Sequence, residues 1–162
     1  MKRVLVVCAG AALVLGLAGC GGGSTSTSPT TSSGSAQLLV RQTGVGLVGL
    51  SSSPNHVLRL ELPLEFSNGS SVGCNLDWGR LQIFVGGEEV ERASVTADDI
   101  VAQAGTNVVV QGSPLRATFI FNFNSQVIEQ VGLSVAATDH NGHTIERQIT
   151  SLNVELAPEL LE

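Results

Sequence analysis

Leu58-Arg59-Leu60-Glu61-Leu62-Pro63-Leu64-Glu65-Phe66 is the stretch that decides the fold class. Every second residue is apolar (Leu58, Leu60, Leu62, Leu64, Phe66), while Arg59, Glu61 and Glu65 take the other side. Successive side chains of an extended strand point to opposite faces, so this alternation describes a strand with one face in a core and one in water. Pro63 falls on the outward parity and has no N–H to give a ladder. The strand is therefore expected at a sheet edge, or with a bulge beside Pro63.

The same period recurs on both sides. Leu81, Ile83 and Val85 alternate, then Gly86-Gly87 supplies the positive φ angles of a two-residue hairpin before Glu88 to Val95 returns. Leu115, Ala117, Phe119, Phe121 and Phe123 share a face after the turn Gln111-Gly112-Ser113-Pro114, itself preceded by an apolar run at Val108 to Val110. Three phenylalanines on one face belong in a core. Val131, Leu133, Val135 and Ala137 alternate up to Asp139-His140-Asn141-Gly142, and Ile145 and Ile149 follow. The parity then flips at Leu152, Val154 and Leu156, which predicts a bulge near Thr150 to Ser151. With an initial strand near Gln37 to Leu50 there are seven or eight strands, and Ala97 to Ala104 is the one helical candidate. The fold class is all-β, a two-sheet antiparallel sandwich.

The strand order over residues 56 to 156, with Asp139-His140-Asn141-Gly142 just before the last strands, resembles immunoglobulin-like or fibronectin type III-like modules of bacterial surface proteins. The resemblance implies an immunoglobulin-like sandwich that binds partners. The chain departs from antibody-type domains, having no Tyr and no cysteine pair within residues 36 to 162. Trp78 is placed much like the core tryptophan of such domains and is expected to pack inside.

At the start of the chain, Lys2 and Arg3 precede an apolar run from Val4 to Leu17 that ends in Leu17-Ala18-Gly19-Cys20. A short cationic region, an apolar segment and small residues before a break fit an export signal. The run is shorter than the roughly 20 apolar residues of a spanning helix. The string resembles the lipobox of bacterial lipoproteins. That resemblance implies removal of residues 1–19 and a diacylglyceryl anchor, with its fatty acyl chains, on Cys20. Two acyl chains suffice for stable anchoring. Gly21 is not the Asp that retains some of these lipoproteins at the inner membrane, which points to an outer membrane where the cell has one. Residues 20–35 are then the lipidated cysteine and a linker of Gly, Ser and Thr with Pro29, a flexible spacer of roughly 20 Å or an O-glycosylated stalk. Residues 36–162 form one β-sandwich domain.

Beyond the signal, six arginines face all fourteen acids, a formal charge of −8. Such a surface repels nucleic acid and anionic headgroups, so no nucleic-acid partner is expected. Of three cysteines, Cys74 alone remains for the domain. It is expected as a buried thiol, with pairing between chains as the sharper alternative.

Several strings carry the outline of a chemistry. Gly69-Ser70-Ser71-Val72-Gly73 matches G-x-S-x-G, and Asp98 or Asp99 and His140 follow in hydrolase order. A nucleophile elbow needs a strand feeding a helix, and no helical pattern follows Ser71. His140 and His143 flank Asn141-Gly142 beside Asp139, but no third ligand lies near, and the later acid of a calcium loop is missing. These are expected as solvated turn residues, and Glu88, Glu89, Glu91, Asp98 and Asp99 as a solvated outer face. No catalytic residue, metal or cofactor is assigned. Phe84 and Ile120 break the inward parity of their strands, and as an apolar pair on an outer face they are the candidate partner-facing residues.

The expected function is a non-catalytic, membrane-anchored interaction or structural module of the cell envelope, held by lipid on Cys20 and facing an envelope protein partner. The alternative is a module that binds a glycan or small ligand.

Overall fold

The computed structural model describes residues 34–157. The expected signal and its Cys20, most of the expected linker and residues 158–162 lie outside the described residues.

The described residues form ten strands, arranged in two sheets, and one helix: β1 (Leu38–Gln42), β2 (Gly46–Leu50), β3 (Leu58–Asn68), β4 (Cys74–Val85), β5 (Glu88–Thr96), α1 (Ala97–Ala104), β6 (Val108–Val109), β7 (Leu115–Phe123), β8 (Gln130–Asp139), β9 (Thr144–Ile149) and β10 (Val154–Leu156). Sheet A runs β10-β2-β3-β7, with β1 also on β3; sheet B runs β5-β4-β8-β9, with β6 on the start of β4. The all-β two-sheet sandwich is thus the observed architecture. It has more strands than seven or eight because Gln37 to Leu50 breaks at Thr43 to Val45 into β1 and β2, and because β6 and β10 are short. One pair, β10 with β2, is parallel.

The alternation from Leu58 to Phe66 holds without a slip, inward residues buried and outward ones half-buried. Its position, however, corrects the sequence reading. β3 is central, paired with β7 from Leu58 to Phe66 on one flank and with β2 and β1 end to end on the other. Pro63 sits at the seam between those two short strands, where its carbonyl accepts from the Thr43 N–H at 3.0 Å. Its missing donor costs nothing there, so neither a bulge nor an edge is needed.

The parity flip after Ile149 also has another cause. Rather than bulging, the chain leaves sheet B after β9 and crosses to sheet A, where Val154 pairs with Gly46. A chain that changes sheets must reverse which parity faces the core.

Inward residues of both sheets meet in one core. Phe66, Phe119, Phe121 and Phe123 are fully buried, Phe66 and Phe119 with ring centroids 5.3 Å apart and Phe119 and Phe121 edge to face at 6.0 Å. Burying each such side chain contributes about 1.5–3 kcal/mol, with up to ~1.5 more per well-oriented aromatic pair. The β4–β5 hairpin turns on Gly86 and Gly87, at φ 62° and 82°. α1 follows β5 directly. Thr96 caps it, donating to and accepting from Asp99, and Gly105 at φ 78° ends it.

Candidate functional site

A bulge in β4 sets the outer face of sheet B. The register slips between Leu76 and Trp78, leaving Asp77 as the extra residue. Cys74 and Leu76 point inward before the slip, and Gly79, Leu81 and Ile83 point inward after it. Gly79 therefore takes the core slot, and a Cβ there would run into Cε2 of Phe119. Trp78 is half-buried on the outside, with the Arg80 guanidinium 4.4 Å from its ring centroid, which corrects the core position expected for it.

Outward residues of three strands line up on this face. Phe84 stands opposite Gln130, Gln82 opposite Gly132, Arg80 opposite Ser134, and Ser134 opposite Gln148. Between them lies a groove of about 290 Å³, lined by Gln82, Phe84, Gln130, Gly132, Gln148 and Thr150 among others. Gly132 leaves the floor open, and a Cβ built on it would meet the Phe84 ring at 3.6 Å. Gln82 is held in place: its Nε2 donates to Glu89 at 2.7 Å and its Oε1 accepts from Ser134 at 3.4 Å. The Gln82 hydrogen bond, together with Arg92, holds the Glu89 carboxyl below the usual carboxylate range.

Ile120 lies on the outer face of the other sheet. It lines a shallow hollow of about 430 Å³ with Thr43, Pro63, Gln103, Arg116 and Thr118. Beside it Arg116 and Arg41 both reach Glu65, at 2.9 and 2.8 Å, and the Arg116 hydrogen bond leads in lowering that carboxyl's pKa. Phe84 and Ile120 are each half-buried, but they do not form one apolar pair, because β4 and β7 belong to different sheets.

The end of the sandwich where the described chain begins is organised by two buried polar residues. Asn68 accepts from the N–H of Gln37 and Ser70 and donates to the Val72 carbonyl at 2.7 Å, which folds Gly69 to Gly73 into a tight connection from sheet A to sheet B. Asp139, 3 % exposed, accepts from the backbone N–H of Ala36, Asn141 and His143 and from the His143 ring at 3.1 Å. Burial by itself would raise this carboxyl, but the N–H groups of His143, Ala36 and Asn141 prevail and hold its pKa at about 2. Asp139 thus clasps the turn from within, while His140, Asn141, Gly142 and His143 are exposed, as expected of solvated turn residues.

Ser71 lies in the Gly69 to Gly73 connection, which leads into β4 and not into a helix. Asp99 is engaged by Thr96, and the His140 ring packs against Gly73. Among the described residues no group of three His, Cys, Asp or Glu side chains could hold a metal ion. Glu91, expected in solvent, instead accepts from the N–H groups of Asn124 and Ser125 at 2.6–3.0 Å and ties β5 to the end of β7. Cys74 is fully buried, and burial, aided by Asp139 and Asp77, raises its thiol pKa.

Sequence reasoning found Phe84 but missed the three glutamines around it. The available signal was their parity, since Gln82, Gln130 and Gln148 each fall on the outward side of an inward-alternating strand.

The fold and this face define a class, an all-β two-sheet sandwich with an amide-lined groove on one outer sheet face. No family model matches the chain, and no curated protein matches it. A solved structure similar to part of it is Spo0M, a sporulation control protein from Bacillus subtilis, at 14% identity and a TM-score of 0.39, covering 77% of this chain. The match spans about half of that protein, 51% of its chain.

Proposed function

We propose that this chain is a non-catalytic cell-envelope lipoprotein whose sandwich is an interaction module, tethered through acylated Cys20 and a flexible linker. The observation that carries the reading is the string Leu17-Ala18-Gly19-Cys20 after a cationic and apolar segment. The geometry agrees with a tether at one end. Gly34 and Ala36 are tied to Asn141 and Asp139, beside the start of β4 and the end of β3. The turns at Gly86-Gly87, Ser51 to Val57 and Asn124 to Glu129 lie at the opposite end, roughly 30 Å away along an eleven-residue β3. A module held this way offers its far loops and its sheet faces to the envelope.

The second reading, a module for a glycan or small ligand, is favoured by the outward Trp78 and by the groove at Phe84. A glycan platform needs an aromatic surface, and Trp78, half-buried with the Arg80 guanidinium over its ring, lies on the same face.

Expression of the full chain in a bacterial host, membrane fractionation and intact-mass measurement test the tether. The expected species lacks residues 1–19, carries a diacylglyceryl group on Cys20 and sediments with membranes, while Cys20→Ala does not. An unmodified wild-type chain in the soluble fraction overturns the reading.

A further inference from the structure

We propose that the groove beside Phe84 on sheet B binds an uncharged oligosaccharide, a ligand class that rests on the reading of this domain as a tethered binding module. Three properties of the groove select that chemistry. First, its lining holds no ionised side chain: Gln82, Phe84, Gly87, Gln130, Gly132, Leu133, Gln148, Ile149 and Thr150 are all neutral. A carboxylated or phosphorylated ligand would find no cation in that lining, and the neighbouring Arg92 is already paired with Glu89, in a domain whose formal charge is −8.

Second, its polar groups are amides with capacity to spare. The side chains of Gln130 and Gln148 make no hydrogen bond among the described residues, and each offers two N–H donors and a carbonyl acceptor. Hydroxyl groups, which donate and accept at once, match that set. Gln82, already fixed by Glu89 and Ser134, adds an amide that loses little freedom on binding.

Third, the groove lies on the outer face of sheet B, spanning β4, β8 and the edge strand β9. The Phe84 ring beside Gly132 supplies a flat wall for the C–H face of a sugar. Trp78 lies on the same face six residues back along β4, roughly 20 Å away, a reach that a chain of several sugars covers and a single sugar does not. The volume, about 290 Å³, is near the lower end of ligand sites and suits one or two rings held firmly, with the rest of the chain lying along the sheet.

Isothermal titration of the full chain with cellohexaose and with chitohexaose, both neutral, tests this, with Trp78 fluorescence as a second readout. Binding of at least one is expected, with Gln148→Ala and Phe84→Ala each weakening it about tenfold and Ile120→Ala, on the other sheet, leaving it unchanged. Gln148 is exposed, so its variant keeps the test valid even where Phe84→Ala folds poorly. No binding by either hexasaccharide at about 10 mM, or binding that both groove variants leave intact, overturns the proposal. If either occurs while the chain is still acylated and membrane-bound, the ligand class fails and the tethered module stands. A chain that is not acylated fails the latter instead.

Discussion

The carboxylate of Asp139 is buried, accepts three backbone N–H groups and a ring N–H from its own turn and from Ala36, and carries a pKa of about 2. Its ordinary value is 3.8, so the folded state binds this proton less readily than the unfolded chain does. The stability it contributes is present in full above the unfolded value and is lost as pH falls from there through about 2. Thermal melts of wild type should therefore fall steeply between pH 5 and pH 2. Asp139→Asn should melt lower at pH 7 and fall less steeply, and parallel pH profiles for the two would contradict this. Gly79 makes the opposite demand, for space. A methyl group there meets Phe119, itself fixed in the core, so Gly79→Ala should cost roughly 1–3 kcal/mol in urea unfolding. The parity of Cys74 and Leu76 points Trp78 inward, and that of Leu81 and Ile83 points Gly79 inward. The two parities conflict, which requires a bulge between them, but the sequence alone does not say which side gives way. The partners of Asp139 were illegible for another reason, since Ala36 lies 103 residues away.

At the scale of elements, alternation read almost every long strand correctly because each has one wet face and one dry one. The Gly86-Gly87 hairpin and the helix at Ala97 to Ala104 were legible from local signals, a pair of glycines and a short departure from period two. What failed was adjacency. Pro63 pointed to an edge, whereas two short strands meeting end to end hide its missing donor inside the sheet. Pro63→Ala should then change stability by about 1 kcal/mol or less, mostly by loosening the unfolded chain, whereas a larger loss would mean the seam depends on the ring. The parity flip after Ile149 pointed to a bulge, whereas the chain changes sheets. Neither can be read locally, because both depend on which strand lies alongside. α1 rests on its cap: Thr96→Ala removes the acceptor for the Asp99 N–H and should cost about 1 kcal/mol. Equal unfolding midpoints for that variant and wild type would show that packing of Ile100 alone holds the helix.

For the whole molecule, the sandwich has two unlike ends and two unlike faces. One end is tied to the segment that leads back to Cys20 through Asn68 and Asp139, and the groove at Phe84 lies towards the other. The outer face of sheet A carries the charge cluster of Arg41, Glu65 and Arg116; that of sheet B carries a neutral amide groove with Phe84, flanked by the Glu89–Arg92 pair and by Arg80 on Trp78. The proposed anchor rests on a local string, whereas the groove could not be read locally, because β4, β8 and β9 build it together. The most direct measurement is crosslinking of the full-length chain in intact envelopes, with identification of the captured species against the Cys20→Ala variant. A specific partner, protein or glycan, is expected to be captured by the anchored chain and lost with Cys20→Ala and with Phe84→Ala. Capture that is the same with and without the anchor, or none at all from a correctly anchored chain, would contradict this.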